Sequence, residues 1–139
     1  MIYIFDANSI LALTREIGEK VVDVVRGNVT ADLAFYEIGN ALWKECHLHR
    51  RLSAKEAAKT LNFIRSLTGL MRVLDAKNSD FGERVLANAL DLGITYYDSI
   101  YLTIAEKIKG TLVTDDEKLL TASRKKIAAI STTEFIKIT

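Results

Sequence analysis

Proline is absent from the 139 residues, so helix ends and turns must be read from glycine, from Ser, Thr, Asp and Asn caps, and from changes in hydrophobic period. Cysteine occurs once, as Cys46, which excludes an internal disulfide framework and any zinc site built on two or more thiolates. An excess of one charge is missing too. Lys and Arg number 19 against 18 Asp and Glu, a formal net charge of +1, so any affinity for nucleic acid must rest on local clusters. There is no long apolar run. Met1-Ile2-Tyr3-Ile4-Phe5 has no basic region before it and is cut short by Asp6. A signal peptide needs a longer stretch, and a membrane span needs about 18 or more apolar residues. The expectation is a cytoplasmic protein without a membrane partner. Gly-rich phosphate loops and Ser or Cys nucleophile motifs are also lacking.

What remains is a chain 49% hydrophobic and 27% charged, the composition of an ordinary globular protein. It carries no repeat, low-complexity tract or linker, and reads as a single domain over residues 1–139, large enough to bury a core without disulfides or structural metal. Short β-rich runs are predicted at 2–5, 29–31, 71–74, 111–114 and 127–130. Helices are predicted between them: 8–15, 19–26 with Gly27 as its C-terminal cap, 33–50, 54–67, a segment capped by Ser79 and stopped at Gly93, 97–109, 117–125, and a terminal turn at 133–136. Ser53-Ala54-Lys55-Glu56 is a capping box. In the 33–50 helix, Tyr36, Ile38, Ala41, Leu42 and Leu48, with Leu52 beyond, suggest a broad apolar face. Short apolar strands alternating with helices imply a three-layer α/β/α sandwich around a mainly parallel sheet. Ligands in such sheets sit beyond the carboxyl ends of the strands, near the point where strand order reverses.

That rule directs attention to Asp6, to Asp115 and Asp116, and to Asp75, each just after a strand. Helix capping is the plain structural role for Asp6, Asp115 and Asp116. Glu37 stands between Tyr36 and Ile38, and Asp98 follows Tyr96-Tyr97; a rim position or a first-turn acid would explain either one.

Four segments together resemble the motifs of the PIN-domain family, in order and spacing and across the whole chain. Phe5-Asp6-Ala7-Asn8-Ser9-Ile10-Leu11 resembles the opening motif, and Tyr36-Glu37-Ile38-Gly39-Asn40-Ala41-Leu42 the helical Glu segment. Asp98-Ser99-Ile100-Tyr101-Leu102-Thr103-Ile104-Ala105 and Gly110-Thr111-Leu112-Val113-Thr114-Asp115-Asp116 resemble the third and fourth. The length is close to that of VapC-like toxins. The resemblance implies an acidic site of Asp6, Glu37, Asp98 and Asp116, supported by Asn8 and Thr114. Asp115 is the variable residue beside the fourth acid, and its adjacency leaves a swap with Asp116 open. Some relatives carry a further acid where Tyr101 stands here, which argues against a full second metal site. The implied activity is that of a toxin ribonuclease using Mg²⁺ or Mn²⁺, acting on RNA, forming a homodimer and paired with an antitoxin.

The chemistry suits those residues. Phosphodiester cleavage needs a nucleophilic water and neutralisation of developing negative charge, and hard divalent cations with oxygen ligands supply both. Clustered carboxylates repel one another until a cation favours their ionised forms. Asp6 and Asp116 are assigned as direct ligands, with Asp98 and Glu37 acting through water or orienting it. His47 and His49 lie two apart and face different sides of a helix, which argues against a histidine metal site. With Lys44, Arg50, Arg51, Lys55 and Lys59 they form a basic stretch, read first as a solvated face and alternatively as an RNA track. Arg124-Lys125-Lys126 has the same two readings, and Trp43 and Cys46 read as core or interface residues. Two alternatives remain: a phosphoryl-accepting receiver domain with Asp75 as acceptor, and a PIN-like RNA-processing or RNA-binding protein outside a toxin–antitoxin pair.

Overall fold

Ile4, Phe5, Leu112 and Val113 have no solvent exposure, and the two short segments that contain them pair side by side at the centre of the sheet. The computed structural model describes every residue except 78 and the side chain of Ser79. Five strands, β1 (Tyr3–Phe5), β2 (Val29–Ala31), β3 (Arg72–Leu74), β4 (Thr111–Val113) and β5 (Ala129–Ile130), form one sheet in the order β3-β2-β1-β4-β5. Every pairing is parallel. Strand order therefore reverses at β1 and β4, and the crevice for a ligand lies at their carboxyl ends. Parallel strands need crossovers, and helices supply them: α1 (Ala7–Ile17), α2 (Val21–Val25), α3 (Leu33–His47), α4 (Ala54–Thr68), α5 (Ser79–Leu92), α6 (Tyr96–Ile108), α7 (Glu117–Ser123) and α8 (Thr132–Ile138). The result is the expected three-layer architecture. Among the described residues, no helix is long and apolar enough to cross a membrane.

Side chains alternate across a strand, so Tyr3 and Phe5 share one face of β1. There they meet Phe135 of α8 edge-on, at 4.9 and 5.2 Å between ring centres. α6 runs against β1, β2 and β4, and its residues 99–105 are all buried. A helix so enclosed is apolar nearly all round, and its polar exceptions are satisfied: Ser99 donates to the Val85 carbonyl, and Asn88 of α5 donates to Thr103. Gly110 joins α6 to β4. A side chain there would meet Ile4 Cδ1 at 2.5 Å and the Ile2 carbonyl at 2.9 Å, so only glycine lets β4 lie flush against β1 in the register Tyr3 to Thr111.

The expected elements are present with ends shifted by a few residues. The Ser53 capping box makes both of its reciprocal bonds, and Gly27 follows α2 at φ +75°. α1 starts at Ala7 because Asp6 is its cap, and α3 stops at His47, short of Arg50, which takes a positive φ outside the helix. The cap expected of Ser79 lies outside the described residues. The broad apolar face expected on α3 is narrower than its spacing suggests. Ile38 and Leu42 are buried, whereas Tyr36 is 73% and Leu48 55% exposed. Trp43 is not in the core either: it is half exposed and stacks on the His47 ring at 5.1 Å.

Candidate active site

The chain leaves β1 through Asp6, whose buried carboxylate caps α1. Oδ1 accepts the Ser9 amide at 2.8 Å and lies 2.6 Å from Ser9 Oγ, which in turn is 2.7 Å from the Val113 carbonyl. One hydroxyl proton cannot serve both neighbours, so Ser9 is satisfied in full when Asp6 carries a proton at Oδ1. Oδ2 accepts from the Thr114 hydroxyl, and Thr114 Oγ1 accepts the Asp116 amide at 3.2 Å. Thr114 thus ties the acid after β1 to the acid after β4. Asp116 caps α7, accepting the Leu119 amide at 2.8 Å through Oδ1. Both capping roles expected for these acids are real, and capping and site placement share the same geometry.

Glu37 and Asp98 come from the first two turns of α3 and the first turn of α6. Glu37 Oε1 accepts the Tyr101 hydroxyl at 2.6 Å. Asp98 gives its amide to Thr95, the cap of α6, so the cap is Thr95 and Asp98 is a first-turn acid.

The electrostatics join the four. Burial pushes the Asp6 carboxyl above its ordinary range, against the pull of the Ser9 and Thr114 hydrogen bonds. Burial also raises Glu37, opposed by the Tyr101 hydroxyl and helped by the charges of Asp6 and Asp98. Asp98 is raised by burial and by Asp116, while Thr95 and Lys118 act the other way. The structure therefore links Asp6 to Glu37, Glu37 to Asp98 and Asp98 to Asp116 by mutual repulsion at one end of the sheet. Tyr101, buried and facing Glu37 and Asp6, is held far above its ordinary value, so its hydroxyl remains a donor. The donor set is oxygen throughout, the chemistry of a hard divalent cation. Among the described residues, however, no three acidic, histidine or cysteine side chains group tightly enough to enclose a metal directly.

Asp115 has a separate task. Its carboxylate accepts the Thr132 amide at 2.8 Å and the Thr132 hydroxyl at 2.6 Å, fastening the start of α8. Asn8 is exposed, and the residue that holds Asp6 from this turn is Ser9. Ser9 and Tyr101 are the site contacts that residue order alone did not single out as partners; the signal for Ser9 was its place three residues after a capping acid. Asp75 sits after the edge strand β3 and accepts the Lys77 amide at 2.8 Å. Two strand spacings, about 10 Å, part β3 from β1, and the acid beside Asp75 in register is Asp32, whose carboxylate is engaged in capping α3. Two cations of the 124–126 cluster are paired, Arg124 with Glu134 and Lys126 with Asp91. Lys44, His47, His49, Arg50, Arg51, Lys55 and Lys59 are all exposed.

No family model matches the chain. Direct comparison does find relatives. The chain is 34% identical over 122 residues to Ribonuclease VapC3 of Pyrobaculum aerophilum, covering 84% of this chain and 90% of that protein. It is 31% identical over 122 residues to Exonuclease VapC9 of the same organism, covering 88% and 86%. Among solved structures, PAE2754 from P. aerophilum superposes with a TM-score of 0.81 at 28% identity over 99% of this chain and 96% of that one. VapBC2 from Rickettsia felis, solved bound to a DNA fragment from their promoter, shares the fold at a TM-score of 0.63 and 13% identity, over 94% and 98%. A third of the residues retained across nine-tenths of a relative exceeds what a shared fold alone imposes: the chain belongs to the VapC family of PIN-domain proteins.

Proposed function

We propose that this protein is a Mg²⁺- or Mn²⁺-dependent endoribonuclease and the toxin of a toxin–antitoxin pair. The observation that carries the reading is the convergence of Asp6, Glu37, Asp98 and Asp116 at the switch point of a parallel sheet, with burial raising three of them and repulsion within the set raising Glu37 and Asp98. Such a cluster opposes its own ionisation, and a divalent cation removes that opposition. Asp6 and Asp116 would hold the ion most directly, with Asp98 and Glu37 reaching it through water, since Mg²⁺ keeps several of its waters. The ion, when bound, supplies charge neutralisation for the scissile phosphate and lowers the pKa of water. The protein supplies the rest. Thr114 and Ser9 fix the Asp6 carboxylate, and the Tyr101 hydroxyl holds one oxygen of Glu37, leaving the other to orient water. Relatives named as a ribonuclease and an exonuclease support action on nucleic acid. The VapBC2 structure supports an antitoxin partner, and half-exposed Trp43 supports a homodimer or antitoxin contact in its neighbourhood.

The test is cleavage of linear and covalently closed circular RNA in Mn²⁺, Mg²⁺, Ca²⁺ and chelator. Scission of the circle marks an endonuclease, and Ca²⁺ should substitute poorly because its longer, looser coordination misplaces the reacting groups. Full activity in chelator would end the metal mechanism. Cutting of linear RNA alone would replace endonuclease by exonuclease. A small reading frame beside the gene, whose product binds this protein and stops cleavage, would establish the toxin role.

A further inference from the structure

Lys118 stands two residues past Asp116 on α7, and its charge reaches Asp98, opposing the burial and the Asp116 repulsion that raise that carboxyl. α7 therefore starts at one site acid and presents a cation to another. Lys118, Thr121 and Lys125 follow at intervals of three and four residues, all exposed, so they form one stripe. The stripe lines a groove of about 440 Å³ that Leu92, Ala122 and Glu117 complete. Among the described residues neither lysine makes an ion pair, whereas Arg124 and Lys126, on either side of Lys125, are both engaged. We infer that Lys118 and Lys125 grip two separate phosphates of the RNA strand, so that the substrate runs from the acidic site along α7.

Charge decides the occupant. Four carboxylates repel a polyanion, and a strand that crosses them needs fixed cations beside them. A lysine with no internal partner offers three ammonium donors and gives up no contact to bind a phosphate. Seven residues set the two lysines about 10 Å apart along the helix axis, too far to share one phosphate and near enough to follow one strand. Glu117 is the acid among the groove's residues. It lies in the first turn of α7, where the amino end of the helix offsets its charge, so the stripe stays cationic. The same contacts explain why the 124–126 cluster contributes through Lys125 alone: its two neighbours are spent on Glu134 and Asp91.

The proposal rests on the RNA-cleaving reading of the acids, which cleavage by the parent in Mn²⁺ tests on its own. Fluorescence anisotropy in Ca²⁺, over a series of salt concentrations, measures binding of an end-labelled single-stranded RNA and of the same sequence with uncharged methylphosphonate linkages. The proteins are the parent, Lys118→Gln, Lys125→Gln, the double variant, Lys118→Arg, Lys125→Arg, and Lys55→Gln, which removes the same charge from the other basic stretch. Losing one phosphate contact to a single strand should reduce the slope of log affinity against log salt by about 0.7, and weaken binding about five-fold at about 0.1 M salt. Each single glutamine variant should show that change, and the double variant about 1.4 and about 25-fold. The arginine variants should stay within about two-fold of the parent, because a guanidinium also grips phosphate. The uncharged strand should be indifferent to every substitution, and Mn²⁺ should raise the melting temperature of every variant as it does that of the parent. A protein that binds through the two lysines but cuts nothing keeps the phosphate contacts and loses the nuclease. Glutamine variants that keep the parent's salt slope, a Lys55→Gln variant that lowers it as much, a parent that binds no RNA, or a loss of cleavage that follows the Mn²⁺ response while RNA binding holds would each overturn the proposal.

Discussion

Replacing Asp6 with Asn separates scaffold from site, because the two roles of this residue respond to different properties. As a cap, Asn equals Asp, and the Ser9 amide keeps its acceptor. The amide nitrogen, turned toward Thr114, can donate where the carboxylate accepted, which costs Thr114 an acceptor for its own proton, about 1 kcal/mol. Against that stands the buried charge. Burial holds the Asp6 carboxyl above its ordinary 3.8, so its contribution to stability is complete below that pH and is lost as pH rises through the folded value. Each unit of elevation is worth about 1.4 kcal/mol at neutral pH, and each kcal/mol moves the melting temperature of a domain this size by about 3–6 °C. Without metal, Asp6→Asn should therefore melt level with or above the parent at pH 7.5, and the difference should shrink or reverse near pH 4. With Mn²⁺ the order should invert. The parent gains about 2.7 kcal/mol at a hundred times the dissociation constant, while the variant gains little and cuts RNA at least about 100-fold more slowly. Melting across pH with and without Mn²⁺, alongside a cleavage assay, reads every term. A variant that cuts RNA normally, or that keeps the metal-induced rise in melting temperature, would refute the site.

Three further outcomes are expected. Asp115→Asn should leave cleavage near the parent rate but lower stability by about 1 kcal/mol, since it disturbs the paired contacts to Thr132; Asp116→Asn should do the reverse, losing cleavage with little change in melting. Tyr101→Phe removes the hydroxyl that holds Glu37 down, so the Glu37 carboxyl rises further and the acid limb of the pH–rate profile moves to higher pH; an unmoved limb would deny Glu37 a role in the titration. Ser53→Ala breaks the capping box of α4, far along the chain from every site acid, and should cost about 1 kcal/mol in denaturant unfolding with kcat unchanged.

The layer architecture was legible because parallel strands buried on both faces leave short apolar runs, and Ile2–Phe5 and Thr111–Thr114 are such runs. Caps were legible where the signal is local, as at Ser53. Faces were harder. Tyr36 and Leu48 fit the apolar period of α3 but stand exposed, because period records which residues share a stripe and not how wide a neighbour covers it. At the site, the acids could be picked out by their place after strands and by family resemblance. Of their supports the resemblance named Thr114, but which acid each support holds was not legible: the Thr114–Asp6 and Tyr101–Glu37 hydrogen bonds span 108 and 64 residues, and no local pattern encodes a partner that far away. The choice between Asp115 and Asp116 likewise stayed open in the sequence, because Thr132 of α8, which takes one of the two adjacent carboxylates, lies 17 residues beyond them.

The 108-residue gap between Asp6 and Thr114 also sets a schedule. At about 5–20 residues per second, synthesis needs roughly 5–20 s to pass from the first acid to the last. Throughout that interval β1 has no β4 beside it, Asp6 has no Thr114, and the fourth acid does not yet exist. A ribosome making this chain therefore holds an incomplete site until β4 and Asp116 emerge, and whatever the finished cleft does to RNA begins only after the first 116 residues have been made.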